Sequence, residues 1–296
     1  MSDPAIDLSF RRYVARRRSQ TEARRREGEA YAFGGDLRVR RTLGRLRPVT
    51  LAIEATVRLW RGVSRAELLG TAVKVSDRQF PRIHAACARA AEALRVPPPT
   101  LYVSPKLSVP AQTLGTPDEA LVVLSTASAE GFSDDALAFV LGRECAHLQN
   151  DHVLYTTALY HLSYAAQHFV RWVVKPAVIA LRAWARRAEI TCDRAGLCVL
   201  RDLGLAERAL VQLTVGSSQL AAALDVEEYL KQLDEQRASV GRWTEMLAAE
   251  PYLPKRLAAL RTFAASSYYR SLLGEASGLS AEECDKQTAE LLGVMR

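Results

Sequence analysis

The chain has 296 residues, 49% apolar and 25% charged, a balance that excludes a disordered, collagen-like or disulfide-scaffold protein and leaves one large folded domain or two small ones. Its formal charge of +7 is concentrated at the start: the first fifty residues hold 13 Arg and no Lys against six acidic residues, and the rest carries 27 residues of each sign. The expected division is therefore an arginine-rich arm over residues 1–50 and a neutral body over residues 51–296.

Five cysteines, Cys87, Cys145, Cys192, Cys198 and Cys284, show no tight C-x-x-C spacing, and no charged, apolar and cleavage regions open the chain. Both features point to a reducing, cytoplasmic setting. The longest stretch without a formal charge, His152 to Val170, is 19 residues long. It contains His152, Thr156, Thr157, His161, Ser163, Gln167 and His168, polar groups that lipid tolerates poorly, so a transmembrane helix is not expected.

In chain order, Phe10 to Tyr31 predicts a polar helix carrying the triplets Arg16–Arg18 and Arg24–Arg26, with Glu22, Glu27 and Glu29 between and after them. That face is read as solvated. The alternative is peripheral contact with phosphate or anionic membrane through residues 11–47, and no aromatic ladder or reader motif points to a specific nucleic acid. Gly34-Gly35 is expected to end the segment. Helices are predicted over Leu46 to Trp60, after Pro48, and over Asp77 to Leu94, where Phe80, Ile83, Ala86, Ala90 and Leu94 recur at helical spacing until Pro97-Pro98-Pro99.

Thr100 to Val103 and Ala120 to Leu124 are short β-branched and apolar runs, separated by the turn residues Pro105, Pro110, Gly115, Thr116 and Pro117; they predict paired strands. From Ser133 onward the pattern is helical. Ser133 precedes Asp134, Asp135 and the periodic run Leu137, Val140, Leu141, as an N-cap should. A second helix is expected around Val153 to Val174 and a third from Pro176 to about Leu203. His161, Tyr164, His168 and Trp172 read as a packed aromatic stripe, with lipid contact over Phe169 to Leu181, Arg171 and Lys175 at headgroup level, as the alternative. The fold class is α+β, mostly helical, with a small β-sheet.

The chemistry sits on the first of these helices, in Arg143-Glu144-Cys145-Ala146-His147. In the zinc-peptidase pattern H-E-x-x-H, two imidazoles one turn apart bind the metal and the glutamate beside the first deprotonates metal-bound water. Here the first imidazole is replaced by Arg143. A further ligand is expected from another helix, and Glu189 with Asp193 one turn later fits that need; Asp193 is placed to orient an imidazole or an arginine.

At these residues the chain resembles the M48 family of zinc metallopeptidases, of gluzincin type. The likeness extends to Gln112-Thr113-Leu114-Gly115, the strand Leu121 to Leu124, Phe132 to Leu137, the Glu189 segment and Pro251-Tyr252-Leu253-Pro254-Lys255-Arg256-Leu257, in the order of soluble bacterial members and over about residues 70–270. It implies a zincin-like fold built around the motif helix, and it would allow a peptide in an extended pose along the edge of the small sheet.

Two departures fall on imidazoles. Arg143 stands where the family has its first histidine, and Glu250 stands where soluble bacterial members have a histidine before the Pro-Tyr-Leu-Pro-Lys-Arg motif. A guanidinium has no free lone pair and is itself a cation, so it competes for the place of Zn²⁺ besides removing one of three ligands. The resemblance then implies a degenerate centre. Glu144 is a vestigial general base, His147 and Glu189 are vestigial metal ligands, and Asp193 orients them; Arg143 pairs with Glu189 or Glu144, and Glu250 is a compensating acid. On a continuing helix His152 lies about 140° round from His147 and Cys145 almost opposite it, so neither takes over from Arg143. Cys192 is read as a buried inert thiol, with thiolate ligation as the alternative.

The expected function is an inactive pseudopeptidase that binds or scaffolds a protein or peptide partner and needs no cofactor. One alternative is an active zinc endopeptidase with an unorthodox third ligand, in which Glu144 takes the proton from water while the metal polarises the peptide carbonyl. The other is an adaptor that binds nucleic acid or membrane through the arginine-rich arm.

Overall fold

A computed structural model describes residues 10–59, 65–116, 119–168, 171–236, 248 and 250–293. Three helices come first, α1 (Phe10–Tyr31), α2 (Gly34–Leu43) and α3 (Arg47–Leu59), followed by the short α4 (Arg65–Thr71). Next are β1 (Val73–Lys74), α5 (Pro81–Ala93), β2 (Thr100–Ser104), β3 (Ala111–Thr116), β4 (Glu119–Ser125) and α6 (Thr126–Gly131). The motif helix α7 spans Asp134–Gln149, and α8 (Val153–His168), α9 (Arg171–Leu200) and α10 (Leu203–Val215) follow it. Helices α11 (Ser218–Ala223), α12 (Val226–Gln236), α13 (Leu253–Ala264), α14 (Ser267–Leu272) and α15 (Ala281–Leu291) complete a mostly helical α+β fold.

The sheet has the order β1-β2-β4-β3. β2 and β4 run parallel, with Tyr102 opposite Val123, and β3 returns antiparallel along β4, with Thr113 opposite Val122. Val122, Val123 and Leu124 are fully buried. β3 occupies a stretch where the sequence predicts only turns. Its burial beside β4 outweighs the turn preference of Gly115 and Thr116, and Gly115, at φ 125°, supplies a conformation that a side chain would oppose.

Ser133 Oγ accepts from the backbone N–H of Ala136 at 3.2 Å, which starts α7 as its sequence implies. Leu137 to Leu141 are all buried, so this helix is apolar around its circumference and runs through the centre of the core. It packs on α5, α9 and α10. Contact with α9 is unusually close. A Cβ on Gly142 would meet Val199 Cγ2 at 2.8 Å, and one on Gly196 would meet the Phe139 ring at 2.5 Å.

Gly34-Gly35 starts α2 instead of ending the segment. The reason is tertiary. The Gly34 N–H donates to Asp285 Oδ2 at 2.8 Å, and the Phe33 ring lies where a Gly35 side chain would go. Pro176, expected to open a helix, lies inside α9, where it removes one backbone hydrogen bond without ending the helix. The side chains of Arg16–Arg18, Tyr164, His168, Trp172, Arg171 and Lys175, and all of Phe169, lie outside the described residues, whereas Ala177, Val178 and Leu181 are buried. Among the described residues no helix is long and apolar enough to cross a membrane.

The segment around α2 reaches the core through one carboxylate. Asp36 is fully buried; its Oδ1 accepts from Trp184 Nε1 and its Oδ2 from Thr191 Oγ1, each at 2.8 Å. Burial would raise its pKa, but His152 beside it and these two donors outweigh that and hold it below the usual carboxylate value. Asp36→Ala leaves an indole N–H and a hydroxyl without their acceptor in the interior. The expected loss of stability is about 3 kcal/mol, read from the urea midpoint; an unchanged midpoint would show that α2 is held by apolar packing alone.

Candidate functional site

The approach of α7 to α9 brings Arg143 and His147 of one helix opposite Glu189 and Asp193 of the other. Arg143 is 5% exposed. Its Nε donates to Asp193 Oδ1 at 2.8 Å, and its terminal N–H donates to Glu189 Oε2. Arg256, from the first turn of α13, reaches the same place and is 1% exposed. Its Nε donates to Asp193 Oδ2 and its Nη2 to Asp193 Oδ1, both at 2.8 Å, while its Nη1 donates to Glu250 Oε2 at 2.6 Å. One aspartate thus accepts from two guanidinium groups.

Two cations and three carboxylates make a cluster with little net charge, buried or partly buried except at Glu250, which is exposed. Burial alone would lower the Arg143 pKa, but Glu189 and Asp193 outweigh it and raise it, so the group stays charged. Burial pushes Glu189 up to about 7, against the pull of Arg143. These residues do not fit a zinc ion in the H-E-x-x-H position. A guanidinium stands in the place of the first ligand, and it already holds one oxygen of Glu189.

Glu144 is buried against the sheet, not against Arg143. Its Oε2 accepts from Thr113 Oγ1 at 2.7 Å, and burial raises its pKa despite Arg143 and that donor. His147 faces three groups. Its Nδ1 lies 3.1 Å from Nδ1 of His152, and its Nε2 lies 3.5 Å from Cys192 Sγ and 3.9 Å from Glu189 Oε1. Nε2 of His152 is 3.0 Å from Asp36 Oδ2, and its ring sits edge-on to Trp184 with centroids 5.2 Å apart.

The proximity of His152 corrects the helical-wheel expectation. α7 stops at Gln149, Asn150 caps it, and Asp151 turns left-handed at φ 55°, a conformation that aspartate tolerates better than most residues. The turn folds back so that the His152 N–H donates to His147 O at 2.9 Å. A second turn of chain thereby delivers an imidazole to the face from which a regular helix would carry it away.

The pairing of Arg143 with Glu189 follows one of the two partners expected, while Glu144 is taken by Thr113 and Asp193 is the second partner. Glu250 lies near and pairs with Arg256. Sequence reasoning missed Arg256, Asp36 and Thr113. Arg256 sits in a motif already singled out, and its position three residues after a Pro-Tyr-Leu turn was a usable signal; Asp36, one of six acids in an arginine-rich arm, offered none.

The edge of the sheet is also engaged. Thr156 Oγ1 on α8 donates to Thr113 O at 3.1 Å, and the Gly115 N–H donates to Thr157 Oγ1 at 2.9 Å. These outward-facing backbone groups of β3 are the ones an extended peptide would need. The pose that the family resemblance would allow meets these two contacts at Thr113 and Gly115.

Arg256→Met should cost about 3 kcal/mol, because the buried Asp193 loses one of its two guanidinium partners and keeps only Arg143; Arg256→Lys should recover less than half, since one ammonium cannot reproduce the two parallel N–H bonds to Asp193. Urea unfolding checks both. His147 gives a pH dependence. Burial, with His152 and Arg143 adding to it, pushes its pKa well below the ordinary value. A depressed folded pKa means that its stabilisation is complete above about pH 6.5 and is lost as the pH falls, when the unfolded chain takes up a proton that the folded one refuses. The urea midpoint of the metal-free chain should therefore fall below about pH 6.5, and His147→Gln should flatten that slope.

The model of Peptidase family M48 matches residues 77–264. The plastoglobule-localized metallopeptidase 48 of Arabidopsis thaliana, described as chloroplastic, is 31% identical over 213 residues, which cover 70% of this chain and 62% of that protein. The chain thus spans less than two thirds of that relative's length. No solved structure matches. With α5, strands β2 to β4, α7, α9 and α13 all inside the matched region, the chain belongs to peptidase family M48.

Proposed function

We propose that this M48 member is a catalytically inactive pseudopeptidase that acts by binding or scaffolding a protein or peptide partner. The observation that carries the reading is the Arg143 guanidinium, buried in the place of the first metal ligand and hydrogen-bonded to Asp193 and Glu189. Without a Lewis acid there, Glu144 has no activated water to deprotonate, and it is bonded to Thr113 instead. The hydroxyls of Thr156 and Thr157 on β3 support the same reading from the substrate side. The partner is then met on another surface. All five cysteines are free and buried, which agrees with the reducing, cytoplasmic setting that goes with this proposal.

Full-length protein incubated with zinc and unfolded casein should leave the casein intact, and Glu144→Gln should change nothing. Zinc-dependent cleavage that disappears in Glu144→Gln would establish the enzyme reading instead. Arg143→His probes the cause directly. It removes a cation from the carboxylate cluster and restores an imidazole, so the variant should be less stable than the parent without metal and should gain about 3–4 kcal/mol with zinc at 100 to 1,000 times its dissociation constant. The part of that gain that exceeds what zinc gives the parent chain should vanish when Glu189→Gln is added, as unfolding with and without chelator will show.

A further inference from the structure

We infer that His147, His152 and Cys192 form a cation site distinct from the H-E-x-x-H position, a buried nest of two imidazoles and one thiolate for a thiophilic divalent ion of the zinc class. The inference goes beyond the inactive reading and does not depend on it. One nitrogen of each histidine and Sγ of Cys192 lie within 4.8 Å of one another, and all three residues are buried. Tetrahedral zinc, with bonds of about 2.1 Å to nitrogen and 2.3 Å to sulfur, sets its ligand atoms about 3.4–3.6 Å apart. His147 can give an ion only one of its nitrogens: Nδ1 is 3.1 Å from His152 Nδ1 and Nε2 is 3.5 Å from Cys192 Sγ, and with one nitrogen from each histidine every edge of the set stays within 4.8 Å. Side-chain rotation of about 1 Å closes the widest edge, which is well within rotamer freedom.

The surroundings are those a metal site requires. Asp36 Oδ2 beside His152 Nε2 favours a proton on Nε2, which leaves the Nδ1 lone pair directed toward His147. This is the carboxylate–imidazole arrangement that orients metal ligands, and Trp184 and Thr191 fix the carboxylate in turn. Charge balances as well. A divalent ion, the Cys192 thiolate and the Asp36 carboxylate sum to zero, while the Arg143 and Arg256 cluster neutralises itself to within one charge. Sulfur and imidazole select zinc-class ions over magnesium or calcium.

On binding, the Cys192 S–H bond breaks as the metal–sulfur bond forms, and one proton leaves to solvent; His147 changes only its tautomer, and nothing is oxidised or reduced.

The test is cobalt(II) added to the full-length chain during refolding, followed by gel filtration and metal analysis. One cobalt per chain is expected, with thiolate-to-cobalt charge transfer in the near ultraviolet and the visible bands of a tetrahedral ion. Cys192→Ser should abolish the charge-transfer band, Asp36→Asn should weaken binding about 10–100-fold, and Glu189→Gln should leave both readouts unchanged. X-ray absorption on the unmodified chain, counting nitrogen and sulfur neighbours, keeps the question decidable if a variant fails to fold. No retained cobalt, or retained cobalt without a sulfur neighbour, overturns the inference while leaving the inactive reading standing. Cobalt whose binding requires Glu189, together with casein cleavage, overturns both.

Discussion

Asp193 sits between two guanidinium groups on two different helices, where water scarcely reaches, and the arrangement of the region follows from that contact. Arg143 comes from α7 and Arg256 from α13, so the aspartate on α9 ties three elements at one point. Arginine suits the task because its planar fork meets a carboxylate with two parallel N–H groups and cannot lose its proton. A buried cluster of this kind adds little to stability over apolar residues of equal volume, yet it is costly to break by halves. In this M48 member the two guanidinium groups cross-link these helices through one carboxylate.

The contact is possible because Gly142 and Gly196 let the helices approach until a methyl group on either would collide with its neighbour. Close packing and charge pairing thus support each other. A wider spacing would separate the guanidinium from its carboxylates, and an unpaired guanidinium would have no reason to stay dry.

Much of this was legible in the sequence because it depends on local rules. Ser133 with its following acids marks the start of α7, the four-residue spacing sets Arg143 beside His147, and the same spacing puts Glu189 and Asp193 on one face of α9. What escaped was set by distant contacts or by a local exception. β3 is a strand only because β4 lies beside it. Asp36 acquires its role from Trp184 and Thr191, about 150 residues further on. His152 reaches His147 only through the left-handed turn at Asp151, which a helical projection treats as more helix. Arg256 lay in a recognised motif, but its partner could not be named until α13 was placed against α9.

The threonine pair on α8 has a consequence for self-association. A strand at the margin of a sheet is a template on which identical chains stack into aggregates, and folded proteins blunt such margins in various ways. Here the hydroxyls of Thr156 and Thr157 occupy backbone groups of β3, and the opposite margin, β1, is only two residues long. Among the described strands the sheet therefore offers little purchase to another copy at either side.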